Sequence, residues 1–330
     1  MSVLVTGGAG YIGSHMVLEL LDAGETVVVI DNLSTGFRWA VAPGVKLVVG
    51  DIADTELVKA TIKANDVTAI IHFAGSIVVP ESVADPLYYY LNNTAKSRGL
   101  MQAAVETGVN NFIFSSTAAV YGNPKENPVS EMAVPAPMSP YGSSKLMTEV
   151  MLADTSVAHD FRYVALRYFN VAGADPQART GQSTAGATHL IKVAVEAALG
   201  KRTHVGVFGT DYVTPDGTGV RDYIHVSDLA AAHVLALAAL IAEPARSLTM
   251  NCGYGRGFSV LEVLDAVDRV TNIKIERKVE GRRPGDPDSL ISDNSRIRAT
   301  LPWEPKCADL DTIVRHALAW ERKLDEIRGS

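Results

Sequence analysis

Short hydrophobic runs alternate with longer helical patterns along the first half of the chain. The short runs are rich in β-branched residues and predict strands at residues 2–6, 26–30, 46–49, 69–73, 111–115 and 163–167. The longer patterns, bounded by Gly, Pro, Asn or Asp, predict helices at residues 11–23, 55–64, 87–107 and 140–158. Because the strands are apolar without alternation, we expect helices on both of their faces. The pattern predicts an α/β fold with a doubly wound parallel sheet.

The regular alternation ends near residue 170. Segments rich in Gly, Thr, Asp and Pro then alternate with helical patterns at residues 189–199, 226–240 and 259–270. We therefore expect residues 171–330 to form a smaller, irregular α/β substrate lobe, with some segments packing back on a first domain of residues 1–170. Since no flexible linker separates the two halves, we expect them to pack together with a ligand cleft between them.

Composition narrows the classes of function. The chain has 330 residues and a formal net charge of −7, which argues against a broad nucleic-acid surface. Its N-terminus lacks the basic region of a secretory signal, and its longest apolar stretch is shorter than the roughly 18 residues of a membrane span. Cys252 and Cys307 show no paired spacing, so we expect neither disulfides nor a metal site. A cytoplasmic protein with no membrane partner is the resulting expectation.

Residues 7–13 read GGAGYIG, between the first predicted strand and the first predicted helix. Gly7 and Gly10 let the backbone turn tightly beside a pyrophosphate, and Gly13 lets the helix pack closely on the strand. Tyr11 and Ile12 offer backbone N–H groups to the anion at the helix start. This motif predicts a dinucleotide-binding Rossmann domain.

Asp31 favours NAD over NADP as the cofactor. It follows the second predicted strand, where a carboxylate can accept hydrogen bonds from a ribose diol and would repel the additional phosphate of NADP. Further candidate cofactor contacts follow the ends of the second, third and fourth predicted strands: Asn32, Ser34, Thr35, Gly36, Asp51, Ile52, Phe73, Ala74 and Gly75. The alternative is that these residues form ordinary turns at strand ends.

Tyr141 and Lys145 are candidate catalytic residues. Ser139 is a predicted N-cap with Pro140 at the first helical position, and the spacing of four stacks Tyr141 and Lys145 on one helical face. A phenol has a pKa of ~10, so a base near neutrality needs a lowered pKa. Two cations, Lys145 and an oxidised nicotinamide, would supply that shift. The alternative is a pair on a solvated helix face.

The fifth predicted strand places hydroxyl groups at its carboxyl end, where one of them could bond a reacting sugar oxygen. The glycine motif, this strand and the Tyr-Lys pair occur in the order typical of the extended short-chain dehydrogenase/reductase superfamily, which the chain resembles. Further stretches resemble the UDP-glucose 4-epimerases of that superfamily. The resemblance covers nearly the whole chain through VLVTGGAGYIGSH, VIDNLSTG, GDI, IIHFAG, NFIFSSTAAVYG, SPYGSSK, LRYFNVAGA, FGTDYVTPDGTGVRDYIHVSDLA and RRPGD, of which the last four are the specific ones.

The resemblance implies an isomerase that interconverts UDP-glucose and UDP-galactose. Tyr141 would be the base and acid, Lys145 its electrostatic partner and a ribose ligand, and Thr117 the hydroxyl that orients the sugar 4-oxygen. Hydride would pass from sugar carbon 4 to tightly bound NAD and return to the opposite face of a 4-keto sugar, so that NAD is regenerated each turnover.

The resemblance also implies binding residues. The additional cofactor contacts would be Asn92, Ser115, Tyr168 and Phe169. The UDP-sugar contacts would be Asn170, His189, Leu190, Val207, Phe208, Arg221, Tyr223, Arg283 and Asp286. For a single Arg or Asp among these, a surface salt bridge is the alternative. A homodimer through the helices at residues 87–107 and 140–158 is a further implication.

Three departures and three alternatives remain. The loop after Asp31 is short, so adenine contacts there would differ from those of relatives. Ile77 stands where many relatives carry Lys near the cofactor diphosphate, and Leu290 occupies the position that admits or excludes an N-acetyl group, which leaves UDP-N-acetylglucosamine and other nucleotide sugars open. A dehydratase or decarboxylase shares the fold, but Ala118 and Ala119 stand where dehydratases carry an Asp-Glu pair. A nonenzymatic NAD-binding regulator would be expected to lose Tyr141 or Lys145.

Overall fold

The computed structural model describes residues 1–243, 247–283 and 286–329. Strands in this part of the chain are β1 (Ser2–Thr6), β2 (Thr26–Asp31), β3 (Lys46–Val49), β4 (Ala69–His72), β5 (Asn111–Thr117), β6 (Arg162–Tyr168), β7 (Asn170–Ala172), β8 (Val205–Phe208), β9 (Val220–His225), β10 (Leu248–Cys252), β11 (Gly257–Ser259), β12 (Arg277–Glu280) and β13 (Ser289–Leu290). The α-helices there are α1 (Tyr11–Asp22), α2 (Thr55–Ala64), α3 (Val79–Ala84), α4 (Pro86–Tyr89), α5 (Lys96–Thr107), α6 (Pro140–Ala158), α7 (Leu190–Ala198), α8 (Val226–Ala242), α9 (Val260–Thr271), α10 (Ser295–Thr300) and α11 (Leu310–Gly329).

A seven-stranded sheet forms the centre of the molecule, in the order β10-β6-β5-β4-β1-β2-β3. All neighbouring pairs in it are parallel. The strand order reverses beside β1, which has β2 on one side and β4 on the other. In open parallel sheets, ligands bind outside the carboxyl ends of the strands at such a reversal. The predicted doubly wound fold is confirmed.

Both faces of the sheet are covered by helices. Side chains alternate along β1, so that Val3 and Val5 belong to the hydrophobic cluster beneath α1 and α8, whereas Leu4 belongs to the cluster beneath α2, α5 and α6. All three are fully buried. Burial of a large aliphatic side chain contributes roughly 1.5–3 kcal/mol, so these two clusters fix the strand ends on which the site is built.

Segments beyond residue 171 also form part of the large sheet and of the helices that cover it. β10 is the outermost strand and pairs with β6, while α8 packs on the same face as α1. The division into domains at residue 170 stays a prediction.

The second lobe is built from shorter elements. β9 pairs with β7, β11 and β13, and β8 pairs with β12. Helices α7, α9 and α11 bury a separate hydrophobic cluster against these strands. The short sheets place β7 and β9 beside the carboxyl edge of the large sheet, which closes one side of a cleft.

One helix differs from its expected form. The pattern at residues 87–107 is observed as α4, a π-helical turn at Tyr90–Ala95, and α5 in direct succession. Single π-turns inside α-helices often occur at functional sites, because the wider turn re-aims side chains. Here the turn faces the cleft through Asn92.

Candidate functional site

A cleft of about 690 Å³ opens at the carboxyl edge of the large sheet. Most residues expected to bind cofactor or substrate line it: Gly7, Gly10, Tyr11, Ile12, Gly13, Asp31, Asn32, Ser34, Thr35, Asp51, Ile52, Phe73, Ala74, Gly75, Asn92, Ser115, Thr117, Tyr141, Lys145, Tyr168, Phe169, Asn170, His189, Arg221 and Asp286. The structure thus brings together residues from both lobes in one continuous cleft.

The glycine turn after β1 has the close packing that its sequence predicts. Gly7 adopts a φ of +73°, and a Cβ there would lie 2.7 Å from the backbone nitrogen of Ala74. A Cβ on Gly13 would lie 2.1 Å from the Gly7 carbonyl oxygen. Gly10 is the N-cap of α1, and no side chain among the described residues caps that helix start. The turn therefore leaves backbone N–H groups open to an anion.

Asp31 holds the loop that follows β2. Its buried carboxylate accepts the N–H of Ala9 at 2.9 Å and the N–H of Leu33 at 2.8 Å. Gly36 lies against the same turn, because a Cβ there would be 2.9 Å from the Ala9 carbonyl carbon. A carboxylate offers about four lone-pair sites, so Asp31 retains capacity for a ribose diol.

Asp51 forms an ion pair that the sequence did not suggest. Lys96 Nζ lies 2.6 Å from its carboxylate, and the Ala53 N–H and the Asn32 side chain also donate to it. Burial acts to raise the pKa of Asp51, but these hydrogen bonds outweigh it and leave the pKa below its ordinary value. Lys96 also lines the cleft, so this end of the cleft carries a cation.

Tyr141 and Thr117 meet at the end of β5. Ser139 caps α6 through the Gly142 N–H, and Pro140 occupies its first turn, as expected. Burial raises the pKa of the Tyr141 phenol above its ordinary value, and a hydrogen bond with the Thr117 hydroxyl acts in the opposite direction. Since Thr117 Oγ1 accepts the Ala119 N–H at 3.1 Å, its own proton can be donated to the phenolic oxygen. In the protein alone, Tyr141 is therefore protonated near neutral pH.

Lys145 lies one turn further along α6. Its Nζ donates to the Ser115 carbonyl at 3.0 Å, and burial lowers its pKa to about 8. The nearby Ser115 hydroxyl is hydrogen-bonded to the Tyr168 hydroxyl. These contacts fix the ammonium beside the strand end, within reach of a ligand in the cleft. The lowering of the Tyr141 pKa by Lys145 and a nicotinamide stays a prediction.

The second lobe supplies charged and polar groups to the cleft. Arg221 donates to the Val220 carbonyl at 2.8 Å, and its Nη2 lies 3.8 Å from Asp286. His189 Nδ1 is 2.7 Å from the Gln182 amide, and burial lowers the pKa of His189. The imidazole is therefore neutral near pH 7.

Some predicted substrate residues lie outside the cleft. Leu190 and Tyr223 line a small adjacent cavity, and the side chains of Val207 and Tyr223 belong to the core of the second lobe. The guanidinium of Arg283 lies 3.7 Å from the centroid of the Phe208 ring. In the RRPGD motif, Pro284 and Gly285 fall outside the described residues.

Asn93 is a buried residue beside the cleft that the sequence did not single out. Its amide accepts the Ser76 N–H at 2.8 Å and donates to the Ser76 carbonyl at 2.9 Å. It also donates to the Ser144 hydroxyl at 3.1 Å. Asn93 thus ties the loop after β4 to the helix that carries Tyr141. The one feature of the sequence that could have identified Asn93 is an amide side chain at a buried position of a helix.

One cluster has the side chains of a metal site. His225, Cys307 and His316 bring three ligand atoms within 4.8 Å of one another. His225 Nδ1 accepts the Ser227 N–H at 3.1 Å, so its Nε2 carries the ring proton and donates to His316 Nδ1 at 2.9 Å. A metal-bound histidine instead donates its second N–H to an acceptor. We assign the cluster as a hydrogen-bonded pair beside a thiol, and the expectation of no metal stays a prediction.

None of the helices within residues 1–243, 247–283 and 286–329 has both the length and the apolar character that crossing a membrane requires.

The model of the NAD dependent epimerase/dehydratase family matches residues 3–253. The chain belongs to this family. Within the NAD dependent epimerase/dehydratase family, a UDP-glucose 4-epimerase of Azospirillum brasilense is 57% identical over 327 residues, which cover 99% of this chain and 94% of the relative.

Two solved structures in the epimerase/dehydratase family are similar over nearly their whole length. The UDP-glucose 4-epimerase of Brucella ovis in complex with NAD is 45% identical, with a TM-score of 0.93, and the match covers 96% of this chain and 97% of that one. The UDP-glucose 4-epimerase of Bifidobacterium longum with NAD⁺ and UDP is 38% identical, with a TM-score of 0.92 and 98% coverage of both chains.

These likenesses confirm the stated resemblance, the expected class of enzyme, an isomerase, and NAD as the cofactor. The glycine turn and the uncapped start of α1 fit the pyrophosphate of that dinucleotide. The roles of individual residues, the homodimer and the compartment stay predictions.

Proposed function

We propose that this chain interconverts UDP-glucose and UDP-galactose by transient oxidation of the sugar at carbon 4. One observation carries the proposal: Tyr141, Lys145 and Thr117 line the same cleft as the dinucleotide-binding glycine turn. The relatives at 38–57% identity, named as UDP-glucose 4-epimerases, support this substrate pair.

Two hydroxyls serve one substrate oxygen in this proposal. Thr117 orients the 4-hydroxyl of the sugar, and Tyr141 takes its proton as the carbonyl forms. NAD, which the glycine turn and the start of α1 would hold, would supply the acceptor and then the donor of the carbon-4 hydride. Tyr141 then gives the proton back to the new 4-oxygen. Because the phenol is buried, the phenolate needs the cation of Lys145 close by to form.

The substrate diphosphate is expected to bind the second lobe. Arg221 and Asn170 line the cleft, and Arg283 lies outside it on the Phe208 ring; the planar guanidinium groups of Arg221 and Arg283 suit phosphate oxygens. Asp286, 3.8 Å from Arg221, is proposed to accept a uridine ribose hydroxyl. His189 and Leu190, with Val207 and Phe208, remain the proposed frame of the uracil, and Tyr223 remains a proposed substrate contact.

Two residues bear on the alternatives. Leu290 lines the cleft and is 9% exposed, so its side chain bounds the space that an N-acetyl group would need. Ala119 has no acidic group, and its backbone N–H is used by Thr117. This leaves the strand end without the acid that elimination of water requires, and disfavours a dehydratase.

The test is interconversion of sugars by the purified protein. We expect UDP-galactose to be converted to UDP-glucose without added NAD, because the cofactor is regenerated in each turnover. Tyr141→Phe should lower kcat by ~10²–10⁴-fold, the usual contribution of a general acid-base group. Tyr163→Phe, which changes a buried phenol of β6 outside the cleft, is the matched control.

Three outcomes distinguish the hypotheses. No conversion of UDP-galactose or UDP-N-acetylgalactosamine, with or without NAD, would contradict the proposed function. Conversion of the acetylated sugar alone would assign the alternative substrate. Full activity in Tyr141→Phe would show that another group handles the proton.

We also propose a cytoplasmic homodimer. Apolar side chains remain exposed on neighbouring helical segments, with Val83 on α3, Leu87 on α4, Leu91 on the π-turn, and Met147 and Val150 on α6. Leu87 is 78% exposed, which is unusual for an apolar side chain in a contiguous patch. Cys252 and Cys307 are free thiols, in keeping with a reducing compartment.

A further inference from the structure

A third buried side chain continues the face of α6 that carries Tyr141 and Lys145. Glu149 lies four residues after Lys145, and this spacing stacks the three side chains on one side of the helix. Glu149 is 6% exposed and does not line the cleft. Burial of a carboxylate costs several kcal/mol unless the charge is paired and hydrogen-bonded. The partners of Glu149 therefore indicate which contacts its charge makes possible.

The partners of Glu149 lie side by side on two strands. Arg167 donates to the carboxylate through Nε at 3.0 Å and Nη2 at 2.6 Å, and the Ser116 hydroxyl donates to the same carboxylate. Ser116 and Arg167 are register partners in β5 and β6, so both side chains project from the same face of the sheet. One carboxylate therefore joins α6 to two adjacent strands.

The hydrogen bonds continue beyond Arg167. Its Nη1 donates to the Tyr121 hydroxyl at 3.0 Å, which in turn donates to Asn251 Oδ1 at 2.6 Å. The Arg167 guanidinium also lies 4.9 Å from the centroid of the Tyr121 ring. Tyr121 belongs to the turn that follows Thr117, and Asn251 belongs to β10. The network thus joins α6, β5, β6, the turn after Thr117 and β10, and its polar groups satisfy one another.

Each strand carries a site residue directly beside its contact with Glu149. On β5, Ser116 lies between Ser115, whose carbonyl accepts Lys145 Nζ, and Thr117, whose hydroxyl meets Tyr141. On β6, Arg167 precedes Tyr168, whose hydroxyl bonds Ser115. A shift of α6 against these strands would therefore change the distances among all the reacting groups.

We propose that Glu149 is a positioning residue for the epimerase reaction. Through Ser116 and Arg167 it sets the rotation of α6 against β5 and β6, and so holds Lys145 against the Ser115 carbonyl and Tyr141 at the end of β5. The proposal rests on the proposed function, because positioning is measured through turnover. Misplacement of a reacting group by about 1 Å can cost ~10²-fold in rate, so a modest rotation has a measurable effect.

The experiment compares Glu149→Gln with Asp228→Asn. Glutamine keeps the shape of the side chain but loses the charge that pairs with Arg167. Asp228 is another buried carboxylate; it accepts the Tyr254 hydroxyl and the N–H groups of Lys306 and Cys307, on the far side of the sheet from α6. Both variants should lower Tm.

Only Glu149→Gln should alter catalysis. We expect its kcat to fall ~10–100-fold with KM for UDP-galactose within about twofold of the wild type. The pKa seen in the pH profile of kcat should rise, because a rotation of α6 moves the phenol relative to the ammonium that is proposed to stabilise the phenolate. Asp228→Asn should keep both the wild-type kcat and the pH profile.

Ser116→Ala is the second variant, because Glu149→Gln leaves a buried guanidinium poorly paired and could fail to fold. It removes one hydrogen bond to the carboxylate and should lower kcat several-fold at unchanged KM. Wild-type kcat in Ser116→Ala, or equal losses of kcat in Glu149→Gln and Asp228→Asn, would overturn the proposal. Absence of epimerase activity in the wild type would instead contradict the proposed function.

Discussion

Lys145 shows how much of the site depends on single buried groups. Its ammonium donates to the Ser115 carbonyl at 3.0 Å in an environment that is nearly closed to water. Burial disfavours its charged form and lowers its pKa to about 8, well below the ordinary value of 10.5. The folded protein therefore carries this charge at a cost that a ligand in the cleft can offset.

Replacement of Lys145 by Met should change how stability depends on pH. Between about pH 8 and 10.5, the unfolded chain binds a proton at Lys145 and the folded protein does not. The free energy of unfolding therefore rises with pH across this window. The added stability is fully present above pH 10.5 and is lost as the pH falls to about 8. The wild type should therefore gain up to about 3 kcal/mol relative to Lys145→Met as the pH rises through this window.

Urea unfolding of both proteins at pH 8 and pH 10.5 checks this expectation. Lys201→Met is the control, because Lys201 pairs with Glu321 and Asp325 and its pKa is raised rather than lowered. A constant difference in unfolding free energy between wild type and Lys145→Met over the whole range would contradict the assigned pKa.

At the scale of residues, the sequence predicted the groups that follow a regular spacing. Tyr141 and Lys145 are four apart on a helix with a recognisable cap, and the glycines stand between a strand and a helix. Lys96 and Asn93 were missed because their partners, Asp51 and Ser76, are distant in sequence. No regular spacing between two residues predicts a contact of this kind. The role of Glu149 likewise depends on the register of two strands.

At the scale of elements, the turn between β1 and α1 is a closely packed part of the cleft. Gly7, Gly13 and the strand end after β4 approach one another at distances that leave no room for a side chain. The position of α1 against the sheet, and with it the direction of its N-terminal N–H groups, depends on this approach.

Gly13→Ala should reduce NAD retention and stability together. The new Cβ would lie 2.1 Å from the Gly7 carbonyl oxygen, so the turn must shift. We expect a loss of a few kcal/mol in unfolding free energy, in the range of overpacked positions, and substoichiometric NAD in the purified protein. Gly99→Ala is the control, since a Cβ there meets only Thr55 at 3.4 Å.

Absorbance of NAD released by denaturation, together with Tm, measures both effects. Gly99→Ala should retain NAD at the wild-type level. Stoichiometric NAD in Gly13→Ala would show that the turn adapts without losing its fit to the pyrophosphate.

The elements of the first half were largely predictable; in the second half three helices were predicted, at α7, α8 and α9, but the short strands were not. Strands buried under helices give continuous apolar runs, which the sequence displays directly. β7, β11 and β13 are only two or three residues long, too short for any period to show. The π-turn at Tyr90–Ala95 was missed because its residues continue a helical pattern and only the hydrogen bonding differs.

At the scale of the whole molecule, the exposed apolar surface on α3, α4 and α6 has the character of an interface. Leu87→Asp should convert the proposed homodimer to a monomer, because a carboxylate buried without a partner is costly. Light scattering after size-exclusion chromatography measures the mass. Val157→Asp, at an 89% exposed position near the end of α6, is the control. A monomeric wild type, or a dimer that persists in Leu87→Asp, would contradict this interface.

The placement of β10 has a consequence for synthesis of the chain. The strand that completes the large sheet begins at Leu248, and α8, which covers α1, begins at Val226. Until these two segments have been made, the earlier strands have β6 as an open edge and one apolar face covered by α1 alone. A nascent chain halted there would expose apolar surface and an unpaired strand edge, both of which favour aggregation. We therefore expect it to depend on chaperones until roughly its last third has been made.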